Sequence, residues 1–312
     1  MSQQVLIDMM QRANFATDSP SEAKKCIKEL IDAGEIRLRD IEQVIGYKAP
    51  TISQHLNGVY EGDTDRLDEG LTRFYRQWIA KHTIVNTSVV QQIHGIIELA
   101  WKRRRIARIN GNFGRGKSKA ANRYAAQNPD YAVVVELSGV STPRELLDRI
   151  GEALHIESQM VGSRNERLSA IIRALQRKPR LLIVDEADEL RPAALKLLRD
   201  IHGDEMGRCA IVLIGTDRLD TLLRNPELGY MRRRIRMKLD VGEISFKEAK
   251  QIATMFPHSL DDGELKKIWD WCLRDFGVDS LVKVMDLAYD MSLVKSLKKI
   301  DADCVEAAMG YL

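Results

Sequence analysis

The chain has 312 residues, room for about two or three domains of ordinary size, and 44% of them are apolar, enough for a sizeable core. Lys and Arg number 48 against 45 Asp and Glu, so a net charge of +3 does not by itself mark a nucleic-acid binder. No apolar run reaches bilayer-spanning length, residues 1–14 lack a secretory signal pattern, and Cys26, Cys209, Cys272 and Cys304 are scattered without a CxxC pair. These features argue against a membrane span, a disulfide framework and a zinc site, and the expected location is the cytoplasm.

The first eighty or so residues read as helices. Ser21 to Ala33 carries Cys26, Ile27, Leu30 and Ile31 at helical spacing and is stopped by Gly34. Leu38 to Ile45 ends at Gly46, a third helix runs through Ile52 to Leu56 and stops at Asn57-Gly58, and Arg66 to Lys81 puts Leu67, Leu71, Phe74, Tyr75, Trp78 and Ile79 on one stripe. After Arg105 the pattern changes to short apolar strands alternating with helices. The strands are Ile106 to Ile109, Tyr131 to Leu137, Leu181 to Val184 and Cys209 to Ile214; the helices follow Lys117, then span Arg144 to Ala153, Arg167 to Arg177 and Pro192 to His202. Continuous apolar strands between helices predict an α/β domain with a parallel sheet covered on both faces. From Ser245 onward Phe246 to Met255, Asp262 to Asp275, Asp279 to Met291 and Asp301 to Met309 read as helices. The expected organisation is a helical domain at 1–82, a connecting segment at 83–105, the α/β core at 106–240 and a helical subdomain at 241–312.

Gly111-Asn112-Phe113-Gly114-Arg115-Gly116-Lys117-Ser118 fits the phosphate-loop pattern GxxxxGK[ST], with a strand before it and a helix after it. Its glycines let successive backbone N–H groups turn inward, and the helix N-terminus adds partial positive charge. Lys117 would reach the β- and γ-phosphates of ATP, and the Ser118 hydroxyl would ligate Mg²⁺. Leu181 to Val184 followed by Asp185-Glu186 is a Walker B strand. Ligands of an open parallel sheet bind at the strand C-termini. There Asp185 would hold the metal shell, and Glu186 would orient and polarise the attacking water. The strand at Ile211 to Ile214 ends at Gly215-Thr216-Asp217, where Thr216, then Asp217, is the choice for a polar group beside the γ-phosphate. Met231 is followed by Arg232-Arg233-Arg234. Arg234, then Arg233, could be presented to a neighbouring subunit's γ-phosphate, although three adjacent arginines equally suit a solvated or DNA-facing patch.

Ile41 to Gly58 resembles a repressor-type helix-turn-helix, with Gly46 in the turn and Ile52 and Leu56 anchoring the second helix. Thr51, Ser53, Gln54 and His55 would face a major groove or phosphates. Glu42 takes a place usually given to a small apolar residue.

A helix-turn-helix domain followed by one compact AAA+ module resembles the phage Mu B family of transposition ATPases and, more distantly, the IstB- and TnsC-type transposon helper ATPases. The resemblance rests on that order of parts and on Thr51-Ile52-Ser53, Tyr60-x-Gly62-Asp63, Arg76-x-Trp78, Gly111-Asn112 and Asp185-Glu186-Ala187-Asp188. It implies an ATPase of a bacterial or phage-infected cell. Such a protein assembles as a helical filament or ring on double-stranded DNA with little sequence preference and delivers that DNA to a transposase. Hydrolysis then drives disassembly. By similarity Arg164 and Arg167 would line the DNA-facing side. The Gly-x-x-Arg sensor motif of the lid has no clear counterpart; Gly277-Val278-Asp279-Ser280 stands near its place, with Lys283 the nearest basic residue. The alternative is a sequence-specific transcription regulator with an ATPase switch, which would prefer a palindromic operator.

Overall fold

The structure, a computed structural model, describes residues 20–82, 85–137, 139, 142–203, 209–254, 256, 260–275, 277–295, 297 and 299–312. The side chains of Arg76, Ile79 and Lys81, and residue Met255, on which the sequence expectations drew, lie outside what is described. The chain divides into two compact units, one of residues 1–85, 245–271 and 280–312, the other of residues 86–244 and 272–279.

The second unit holds the sheet. Its helix α5 (Ser88–Arg103), the fifth in chain order, lies before β1 (Ile106–Asn110), and α6 (Lys117–Gln127) follows. Next come β2 (Ala132–Val135), α7 (Pro143–Ala153), α8 (Arg164–Arg177) and β3 (Leu181–Val184). They are followed by α9 (Pro192–His202), β4 (Ala210–Gly215), α10 (Asp217–Leu223), α11 (Gly229–Arg234) and β5 (Ile235–Asp240). All pairings are parallel, in the order β2-β3-β4-β1-β5. The three central strands are buried at every residue, as strands covered on both faces must be. The edge strand β5 alternates instead, with Arg236, Lys238 and Asp240 outward. Arg108 is the one charge inside β1, and it is compensated: its guanidinium meets Asp240 at 2.5 Å and Asp220 at 3.3 Å.

Two expectations change here. Residues 86–103 are not a connector: α5 carries Val89, Val90, Ile93, Ile97 and Ala100 into the core of the sheet unit and packs on α6, β4 and β5. And a fifth strand, β5, stands after the triple arginine.

In the other unit, α1 (Pro20–Asp32), α2 (Leu38–Ile45), α3 (Ala49–Leu56) and α4 (Thr64–His82) gather around Ile27, Leu30, Ile41, Ile52, Leu71 and Phe74. Gly46 closes α2 in the left-handed region at φ 75° and turns the chain into α3. Glu42, odd for its place in sequence, staples this turn: its carboxylate accepts from Lys48 Nζ at 3.0 Å and from the Ala49 N–H at 3.1 Å. The later helices are α12 (Phe246–Ala253), α13 (Asp262–Asp275), α14 (Gly277–Val294) and α15 (Ala302–Gly310). No helix among the described residues is long and apolar enough to cross a membrane.

Candidate nucleotide site

Strands β1, β3 and β4 are adjacent and parallel, so their C-terminal ends bring Asn110, Val184 and Gly215 to one edge of the sheet. The loop leaving β1 winds through Gly114 and Gly116, at φ 73° and 75°, and delivers the N-terminus of α6 to that edge. At Gly111 a Cβ would stand 3.0 Å from Val241 Cβ, so the loop's entry tolerates little more than a hydrogen. The result is a cleft of about 220 Å³ lined by Phe113 to Lys119, Asp185, Glu186, Asp188, Gly215, Thr216 and Asp279.

Lys117 is buried and donates to the carbonyls of Gly111 at 2.6 Å and Asn112 at 2.8 Å. Burial lowers its ammonium pKa, and the carboxylates of Asp185 and Asp188 work against that shift. Ser118 is exposed in the first turn of α6. Arg115 is held at the loop's flank by the Val241 carbonyl and by Glu243, each at 2.5 Å.

Asp185, the first residue after β3, is buried in the cleft, with its carboxylate accepting from the Glu186 N–H at 3.0 Å. Glu186 itself sits at φ 53°, ψ 36°, a left-handed conformation that costs a non-glycine residue about 1 kcal/mol or more. The residue is exposed and lines the cleft. Burial, then the neighbouring Asp185, Asp188, Glu189 and Glu136, push its pKa up. Thr216 caps α10, accepting from the Arg218 N–H at 3.3 Å, and donates its hydroxyl to Asp188 at 2.6 Å. Asp188 thereby ties the turn after β3 to the end of β4. The sequence pointed to Asp188 only as part of a motif; its packing against Gly215, where a Cβ would come within 2.9 Å of its carboxylate, had no signal in spacing. Asp217 is exposed on α10, so Thr216 is the better placed of the two for this wall of the cleft.

The residues present fit Mg-ATP. A hydroxyl at Ser118 and a carboxylate at Asp185 are the hard oxygen donors that Mg²⁺ takes, and the glycine loop with the α6 N-terminus suits phosphates. Lys117 rests on loop carbonyls that a phosphate oxygen would replace as its partner.

Other sequence candidates fall elsewhere. Arg234 donates to the Gly203 carbonyl and is half-buried, whereas Arg232 and Arg233 are exposed and, among the described residues, have no ion-pair partner. Of the three, Arg234 is the one already engaged within its own subunit. Arg164 is exposed at the start of α8, but Arg167 is buried, paired with Asp148 and bonded to the Gly162 carbonyl at 3.2 Å. It braces α8 against α7 and leaves the expected DNA-facing set. In the helical unit Gln54 is exposed, and Thr51 and Ser53 are half-exposed. His55 points inward: its Nε2 bonds Asp68, which also holds Lys24 at 2.9 Å, and its ring meets Tyr60 edge-on at 5.9 Å. His55 therefore belongs to the packing of α3 on α4, not to an outward face.

Residues 100–223 match a family model described as an AAA domain. The chain is 27% identical over 244 residues to the ATP-dependent target DNA activator B of Escherichia phage Mu, covering 75% of this chain and 77% of that protein. It is 26% identical over 253 residues to the Mu-like prophage FluMu DNA transposition protein B of Haemophilus influenzae, covering 77% and 87%. The ORC1 protein of Aeropyrum pernix, solved in complex with DNA, has a similar fold, with a TM-score of 0.60, 17% identity, and 75% of this chain and 69% of that one covered. Sheet order and phosphate loop give the sheet unit the AAA+ P-loop fold, its residues 100–223 match the AAA domain model, and the chain resembles the B proteins of Mu-like phages.

Proposed function

We propose that this protein is an Mg-ATP-dependent ATPase that assembles on double-stranded DNA and presents it to a transposase, with hydrolysis releasing the assembly. The observation that carries the nucleotide chemistry is the cleft, where Lys117 and Ser118 face Asp185, Glu186 and Thr216 across one sheet edge. Glu186 would take the water-orienting role, Ser118 and Asp185 would hold the metal, and the Thr216 hydroxyl, held beside the cleft by Asp188, would exchange that partner for the terminal phosphate. Exposed Arg232 and Arg233 suit delivery to a neighbouring copy's site, which would make hydrolysis depend on assembly. The DNA and transposase roles draw on the similarity to the Mu-type B proteins and on exposed Arg164.

Duplex DNA of two unrelated sequences, sedimented with the protein and ATP, tests the reading. Equal recovery on both duplexes that is lost with ADP supports it. Strong preference for a palindromic half-site favours a transcription regulator instead.

A further inference from the structure

The opening of α14 is laid against the phosphate loop. The Asp279 N–H donates to the Gly114 carbonyl at 2.9 Å. Gly277, at φ 68°, lies so close that a Cβ would come within 2.9 Å of Gly114 C and 3.0 Å of the carbonyl oxygens of Gly114 and Phe113. This contact brings a fourth carboxylate to the cleft. Asp279 lines it together with Asp185, Glu186 and Asp188, and stands 3.6 Å from Lys119 Nζ.

A polyphosphate site ordinarily gathers cations, yet the side chains lining this one are four acids, Asp185, Glu186, Asp188 and Asp279, against Arg115, Lys117 and Lys119. Asp185 and Glu186 serve the metal and the water, and Asp188 is bonded to Thr216. Arg115 is committed to Glu243 and Val241. Asp279 lines the cleft and pairs with Lys119, the more exposed of the two lysines there.

We infer that Asp279 is a specificity-determining residue that weakens nucleotide binding in proportion to phosphate charge, both by direct repulsion and by engaging Lys119. The tightness of triphosphate over diphosphate is then set below what the loop alone would give, so ATP is held only as firmly as a reversible assembly cycle needs. This rests on the nucleotide reading of the cleft.

The test is calorimetric titration of the full chain with Mg-ATP and Mg-ADP. Asp279→Asn keeps the shape and removes the charge; it should tighten ATP on the order of tenfold and ADP by less, with the gain shrinking as salt rises. Asp279→Ser, a different neutral side chain, should give the same ranking. Lys119→Ala should cost more affinity in the Asp279→Asn background than in the native chain, because only there is the ammonium released to the phosphates. Unchanged or weakened ATP binding in both neutral variants would overturn the proposal while leaving the site assignment intact. Absence of ATP binding by the native chain would overturn the nucleotide reading and the proposal together.

Discussion

Residues with similar sequence credentials have different fates in this fold, and the difference decides what each substitution does. Lys117→Ala removes the buried ammonium at the loop and should abolish tight ATP binding. Glu186→Gln should retain binding and lower hydrolysis by about 10²–10⁴-fold, since only the carboxylate proposed to orient water changes. Normal turnover in Glu186→Gln would remove its assigned role. Arg164 and Arg167 are three residues apart, yet only Arg164 is exposed. Arg167→Ala leaves Asp148 without its partner and should lower stability by about 1–2 kcal/mol in urea unfolding. Arg164→Ala should leave stability unchanged and reduce the salt slope of DNA binding by about one. The sequence made these two arginines equivalent because nothing local to α8 announces Asp148, which comes from α7. His55 went astray for the same reason: its partner Asp68 lies 13 residues further on, in α4.

At the scale of elements, two helix faces carry testable costs. Gly46 holds φ 75° between α2 and α3, and Gly46→Ala should destabilise by about 1–2 kcal/mol through the left-handed penalty. On α5, His94 bonds the Ala120 carbonyl of α6 at 2.9 Å, and burial, with Arg123 nearby, lowers its pKa below 6.5. A histidine depressed in the folded state contributes stability that is present above the unfolded pKa and is lost as pH falls through the folded one. Melting temperature should therefore drop as pH falls below about 6.5. His94→Gln, which can still donate to Ala120, should flatten that part of the profile; an identical pH profile in the variant would contradict the assignment. Elements with strong periodicity were legible: the four buried or half-buried strands, the glycine loop and the helices either side of Gly46 stand where the pattern put them. β5 was missed although Ile235, Met237 and Leu239 alternate with Arg236, Lys238 and Asp240, because the arginines just before it read as a charge cluster and masked the period of two. α5 was missed because a helix between two domains looks like a connector until its apolar face is seen packed on the sheet. The parts of the cleft that come from far along the chain, Asp188 on Thr216 and Asp279 on Gly114, are fixed by tertiary approach and leave no mark in local spacing.

At the scale of the whole molecule, the proposed function joins a nucleotide cleft to DNA through assembly. If Arg233 completes a neighbour's site, hydrolysis per subunit should rise with protein concentration. Mixing Arg233→Ala with Glu186→Gln should then restore activity above either alone, since some interfaces regain an intact arginine and an intact acid. Lack of restoration at any ratio would point to a self-contained subunit. A protein that follows phosphates through Lys and Arg releases counterions, so its DNA affinity should fall steeply with salt. The most direct measurement is DNA affinity of the Glu186→Gln chain across a salt series with ATP and with ADP. The expected result is tight, sequence-indifferent, steeply salt-dependent binding with ATP and binding weaker by an order of magnitude or more with ADP. Affinity that is the same with either nucleotide, or flat in salt, would contradict an ATP-controlled DNA assembly.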